Sequence, residues 1–117
     1  MANITVTFTA IASGPFNLAK LFAGGTQTGV TITPTTPTKP PSKPNLLTVQ
    51  ADPGNGTAFI VVGDSQITSA GAPAGKRLAA GVIDAMQGPS TMPLVQRWIT
   101  ASANGAIANI EAYGGEQ

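Results

Sequence analysis

The sequence predicts an all-β protein: an antiparallel β-sandwich or jelly-roll-like domain with an N-terminal β arm joined by a Pro-rich tether. Three observations carry this reading. Apolar residues recur with a period of two, clearest in NITVTFTAIA, residues 3–12; short extended runs alternate with Gly/Pro-rich turns; and the tract PTTPTKPPSKP, Pro34 to Pro44, suits neither sheet nor helix. Each proline in that tract lacks a backbone N–H and fixes φ, which predicts an extended, solvated strut. At about 3.1 Å per residue it would reach roughly 34 Å.

Taken in order, Ile4, Val6, Phe8 and Ala10 share one face of the first strand, and Thr5, Thr7 and Thr9 share the other. That is the pattern of a half-buried strand. Ser13-Gly14-Pro15 ends it. Phe16, Leu18, Leu21 and Phe22 form a short apolar patch stopped by Gly24-Gly25, read as loop or a single helical turn. Gly29 to Thr33 resumes an extended pattern, so residues 1–33 read as a β arm, 34–44 as the tether and 45–117 as the sandwich core, one domain overall. In that core, Leu46 to Ala51 and Thr57 to Val62 flank the turn cluster Asp52-Pro53-Gly54-Asn55-Gly56, which predicts two neighbouring antiparallel strands. Lys76 to Gln87 carries a helical stripe at Leu78, Val82 and Met86, but Gly81 interrupts it, and strand is the reading preferred. Leu94 to Thr100 and Ala106 to Tyr113 read as a closing hairpin.

Length and composition bound the function. A chain of 117 residues holds one core, not two. Only 9% of residues are charged, against about 25% in an average soluble protein, so Thr, Ser, Asn, Gln and Gly must cover the surface. The six Lys and Arg residues are scattered and the net charge is +1, leaving no electrostatic basis for nucleic-acid binding. No apolar run approaches the length that spans a bilayer. The chain has no Cys and no His, which removes disulfides, thiolate chemistry, the commonest general base and the commonest transition-metal ligand. No cofactor is expected.

The motifs that invite a chemical reading fare poorly. Gly71-Ala72-Pro73-Ala74-Gly75-Lys76-Arg77 is one residue short of a phosphate-binding loop and has Arg77 where a magnesium-binding hydroxyl is needed. Asp52, Asn55 and Asp64 offer oxygens for a calcium ion, yet turn chemistry explains them without one. No spacing pairs the five carboxylates, and Ser65 has no imidazole to activate it. The chain is expected not to be an enzyme. Trp98 and Tyr113 suggest a sugar-stacking platform, but so few aromatic side chains are more simply core packing, in which case Trp98→Ala costs about 3–5 kcal/mol.

In TVQADPGNGTAFIVVGDSQIT, then Leu78-Ala79-Ala80-Gly81, then WITASANGAIANIEAY, the order of strands and turns resembles small tailed-bacteriophage virion proteins of the capsid cement, decoration or head-fibre type. The likeness covers a little over half the chain. It implies an antiparallel sandwich, commonly a homotrimer, assembled in the host cytoplasm and attached to the major capsid protein on the outer surface of the virion. The second function class is a receptor- or glycan-binding module of a head fibre, tail fibre or tail tip; the Ser69–Gly75 and Gln87–Pro93 loops carry none of the aromatic residues it needs. For a cement protein the arm would bridge neighbouring subunits by adding to a sheet edge; the alternative is that the Pro-rich tract folds back and the N-terminal strands pack in cis on their own sandwich. The arm's expected partner contacts are Ile4, Val6, Phe8, Phe16, Leu18 and Phe22, with Lys39 and Lys43 on the tether. Removing residues 1–44 should then leave a folded core that no longer decorates.

Overall fold

Ten short strands build two antiparallel sheets in a computed structural model that describes residues 2–33, 39, 44–69, 75–87 and 93–114. The strands are β1 (Ala2–Phe8), β2 (Phe16–Asn17), β3 (Gly25–Gln27), β4 (Val30–Thr33), β5 (Leu46–Ala51), β6 (Ile60–Gly63), β7 (Gly75–Leu78), β8 (Ile83–Gln87), β9 (Trp98–Ala101) and β10 (Ile107–Tyr113). One four-residue helix, α1 (Leu18–Leu21), follows β2, with Asn17 Oδ1 accepting from the Ala19 N–H as its cap. The larger sheet runs β3-β4-β1-β10-β5-β8, and the smaller runs β2-β9-β6-β7.

The period-two pattern explains how the sheets face each other. Ile4, Val6 and Phe8 of β1 and Ala108, Ile110 and Ala112 of β10 are buried, while the residues between them turn outward. Ile60 and Val62 of β6 and Ile99 and Ala101 of β9 meet them from the smaller sheet in one continuous core. Phe8 and Phe16 join the layers, their ring centroids 5.7 Å apart and tilted by 53°. Leu18, Leu21 and Phe22 close one end.

The hairpin from β3 to β4 turns through Gly29, whose φ of +86° favours glycine. A Cβ there would lie 2.8 Å from the Ala10 carbonyl oxygen and 2.9 Å from the Phe16 ring. The close approach is structural, because the Gly29 carbonyl accepts from the Thr9 and Ala10 N–H groups and so ties the hairpin to the end of β1.

The expected all-β sandwich is thus what the chain forms, and Phe16–Phe22 contains the single helical turn. Lys76 to Gln87 forms extended strands, β7 and β8, which a turn at Ala79–Val82 places in different sheets. Two expected hairpins are corrected in the same way. β5 and β6 are not neighbours: β5 pairs with β10 and β8, whereas β6 pairs with β7 and β9. β9 and β10 likewise lie in opposite sheets, and Leu94–Gln96 is a 3₁₀ turn before β9 begins. The turn residues do turn the chain, but over the edge of the sandwich. Asn55 shows why, since its side chain accepts from the Ile107 N–H and donates to the Ile107 carbonyl, both at 2.9 Å. That clasp holds the link after β5 against the start of β10.

The N-terminal segment is not a separate arm. β1 lies between β4 and β10 inside the larger sheet, pairing from Ala2↔Ala112 to Thr7↔Ile107 on one side and from Thr5↔Thr33 to Phe8↔Val30 on the other. β4 and β5, on either side of the proline tract, belong to this same sheet with β1 and β10 between them. The expected tether conformation falls on residues outside those described, apart from exposed Lys39 and buried Pro44.

Candidate functional site: the outer face of the six-stranded sheet

With the apolar phase of each strand turned inward, the other phase becomes a surface whose rows follow from the registers. Thr33, Thr5, Asn109, Gln50 and Ile83 stand opposite one another across five strands. A second row runs Thr26, Thr31, Thr7, Ile107. A third runs Asn3, Glu111, Thr48, Ala85, and Tyr113 beside Leu46 begins a fourth. Six strands at about 4.8 Å spacing make a face roughly 24 Å across; the molecule measures 34 × 30 × 24 Å. Glu111 is the one charged residue on the described strand positions of this face.

The face is held by its own hydrogen bonds. Thr5 Oγ1 donates to Asn109 Oδ1 at 3.1 Å, and Asn109 Nδ2 donates to Asp52 Oδ1 at 3.2 Å. Tyr113 donates its hydroxyl to Glu111 Oε2. That bond, then burial and the adjacent negative charge, raises the Tyr113 pKa above its ordinary value, so the phenol keeps its proton. β-branched threonines have few rotamers to lose on contact, and a face poor in Lys, Asp and Glu has little charge to desolvate. Such a surface is suited to flat contact. It offers no concave, chemically armed pocket.

The residues expected to touch partners lie elsewhere. Ile4, Val6, Phe8, Leu18 and Phe22 are at most 1% exposed and Phe16 is 8% exposed, so all six side chains belong to the core and none is presented to a partner. The strict alternation that singles them out marks burial within this chain. Lys39 is exposed, and Lys43 lies outside the described residues.

The remaining candidates resolve into structural roles. Asp52 caps a 3₁₀ turn by accepting from the Gly54 N–H at 2.9 Å, and Asp64 accepts from the Gln66 N–H at 2.8 Å. Among the described residues no three of His, Cys, Asp and Glu come together as a metal site. Asp84 lies between Lys76 Nζ at 2.8 Å and an Arg97 guanidinium nitrogen at 3.6 Å, linking β8 of one sheet to β7 and the start of β9 in the other. No sequence spacing announces that cluster, since its members meet only across the two layers. Arg77, expected at the end of a glycine-rich loop, lies on β7 and stacks over Phe59 at 4.8 Å; Gly71 to Ala74 are outside the described residues.

Trp98 and Tyr113 do not form one platform. Ile99 and Ala101 point into the core, so Trp98 faces out from the smaller sheet, whereas Tyr113 faces out from the larger one, on the opposite side of the sandwich. Trp98 lines a shallow cleft of ≈ 390 Å³ with Asn17, Lys20 and Gln27. Because the indole is partly exposed and outside the core, Trp98→Ala is expected to cost about 1–2 kcal/mol, well short of a core ring, as thermal denaturation will measure.

No family model matches the chain, and neither a curated protein nor a solved structure matches it. Among the described residues, no helix is long and apolar enough to cross a membrane.

Proposed function

We propose that this chain is a non-enzymatic structural protein of a phage virion, a capsid cement or decoration protein that binds the outer capsid surface and bridges major capsid subunits. The observation that carries the reading is the broad, threonine-ruled, nearly uncharged outer face of the six-stranded sheet. A face of that kind works by area and shape. Many copies acting on a repetitive lattice turn weak individual contacts into durable attachment, because the second contact of a linked assembly is effectively intramolecular. The contact surface in this proposal is the outward phase of β1, β4, β5 and β10, with Thr5, Thr7, Thr31, Thr33 and Thr48 among its residues; the apolar phase supports it from within.

The test uses tagged chain produced with its phage and particles purified by density gradient. The chain is expected to migrate with full capsids, and capsids lacking it should open at lower temperature. The double variant Thr31→Lys, Thr48→Lys places two long cations on the face. It is expected to melt within a few degrees of the parent, since both side chains point outward, and to lose about tenfold or more in capsid binding. Undiminished binding by that variant would remove this face from the proposal. Absence of the chain from capsids, with recovery in tail fractions, would favour the fibre or tail-tip module.

A further inference from the structure

We infer that β8 is a self-pairing edge, through which two copies of this chain join their six-stranded sheets about a twofold axis at Ala85. The reasoning begins with the edges. An edge strand presents unpaired N–H and C=O groups, and proteins guard such strands by keeping them short or by placing Lys, Pro or inward charges on them. β2 has two residues and β3 has three, while β7 carries Lys76 and Arg77. β8 is a five-residue edge with no Lys, Arg, Pro or Gly. Its one charge, Asp84, points inward and is already neutralised by Lys76 at 2.8 Å. Outward stands Ile83, 55% exposed, next to Val82, 44% exposed. No described strand pairs with β8 on its far side.

The hydrogen-bond phase identifies the occupant. The Ala51 N–H bonds the Val82 carbonyl at 3.0 Å. Opposed residues of an antiparallel ladder alternate between bonded and non-bonded pairs, so Asp84 and Met86 direct their backbone groups to β5, in phase with the Val82 carbonyl, while the Val82 N–H turns back to the Ala79 carbonyl at 2.9 Å. Ile83, Ala85 and Gln87 therefore turn theirs to the open side. These three positions are symmetric about Ala85. A second β8 running antiparallel, with Ala85 opposite the partner's Ala85 and Ile83 opposite the partner's Gln87, satisfies all of them at once. In that register Asp84 faces the partner's Met86, so like charges never meet across the seam. A C2 contact requires this self-complementarity.

The inference does not rest on capsid attachment, because it is read on the purified chain alone. Sedimentation velocity from about 1 μM to 1 mM is expected to show a monomer–dimer equilibrium. Hydrogen exchange should show the Ile83, Ala85 and Gln87 amides gaining protection as concentration rises, with those of Asp84 and Met86 protected throughout. Ala85→Pro removes an N–H that β5 does not use, a placement proline tolerates on an edge, and Ile83→Lys adds an edge cation. Each is expected to weaken the dimer about tenfold or more with little change in melting. If Ala85→Pro fails to fold, Ile83→Lys and the exchange pattern decide. A single species at every concentration, dimers indifferent to the variants, or dimers without protection at the three amides would overturn the inference.

Discussion

Removal of residues 1–33 is expected to abolish folding, leaving a chain with no cooperative thermal transition. The segment supplies β1, which the larger sheet grips from both sides, and with β4 and β3 it forms the whole of one flank. It also carries Phe8, Phe16 and Phe22, every aromatic ring of the described core, together with Leu18, Leu21, Val30 and Ile32. Without β1, the bonded edge of β10 is opened and the buried Ala108, Ile110 and Ala112 lose their ladder neighbours Val6, Ile4 and Ala2. A sequence reading that detaches the first strands predicts the opposite, a folded remnant lacking only its attachment. Circular dichroism and calorimetry on the truncated chain separate the two outcomes: a cooperative melt within about 10 °C of the parent would contradict the integrated sheet.

A single side chain within that segment should be nearly as telling. Phe8 is 0% exposed, ends the central strand β1, and meets the Phe16 ring across the two layers. Its backbone is fastened as well, donating to the Ala106 carbonyl at 2.9 Å and accepting from the Gly105 N–H at 2.6 Å, so the strand cannot shift to fill a void. Phe8→Ala is therefore expected to cost about 3–5 kcal/mol, the range for a large ring deleted where collapse is limited. For a domain of this size that corresponds to a fall in Tm of roughly 10–20 °C. Chemical denaturation read alongside the melt should give the same loss; a loss below about 1 kcal/mol would mean that Phe8 is not packed as described.

Both expectations turn on what residue order encodes and what it leaves open. The extended character of β1, β5 and β10 is legible in the sequence because alternation reports the face a side chain occupies, and that of β6 and β9 because short apolar runs are bounded by turn residues. It does not report which strand lies alongside. The Asp52–Gly56 turn therefore reads as a hairpin, although the clasp between Asn55 and Ile107 commits it to crossing from one sheet to the other. The candidate surface is present in the same pattern, with its sign reversed. Ile4, Val6 and Phe8 read as sticky residues, yet it is Thr5 and Thr7 that stand outside. The Asp84 cluster is not legible at all, because Lys76, Asp84 and Arg97 come together only when two sheets stack.

The pairing of β1 with β10 has a consequence for biosynthesis. Thr5 and Asn109 are separated by 104 positions in the chain, so β1 leaves the ribosome long before the strand that pairs with it. At about 5–20 residues per second, β1 waits several seconds or more with Ile4, Val6 and Phe8 uncovered. Holdase chaperones that shield this nascent stretch should raise the soluble yield more than any agent acting after release.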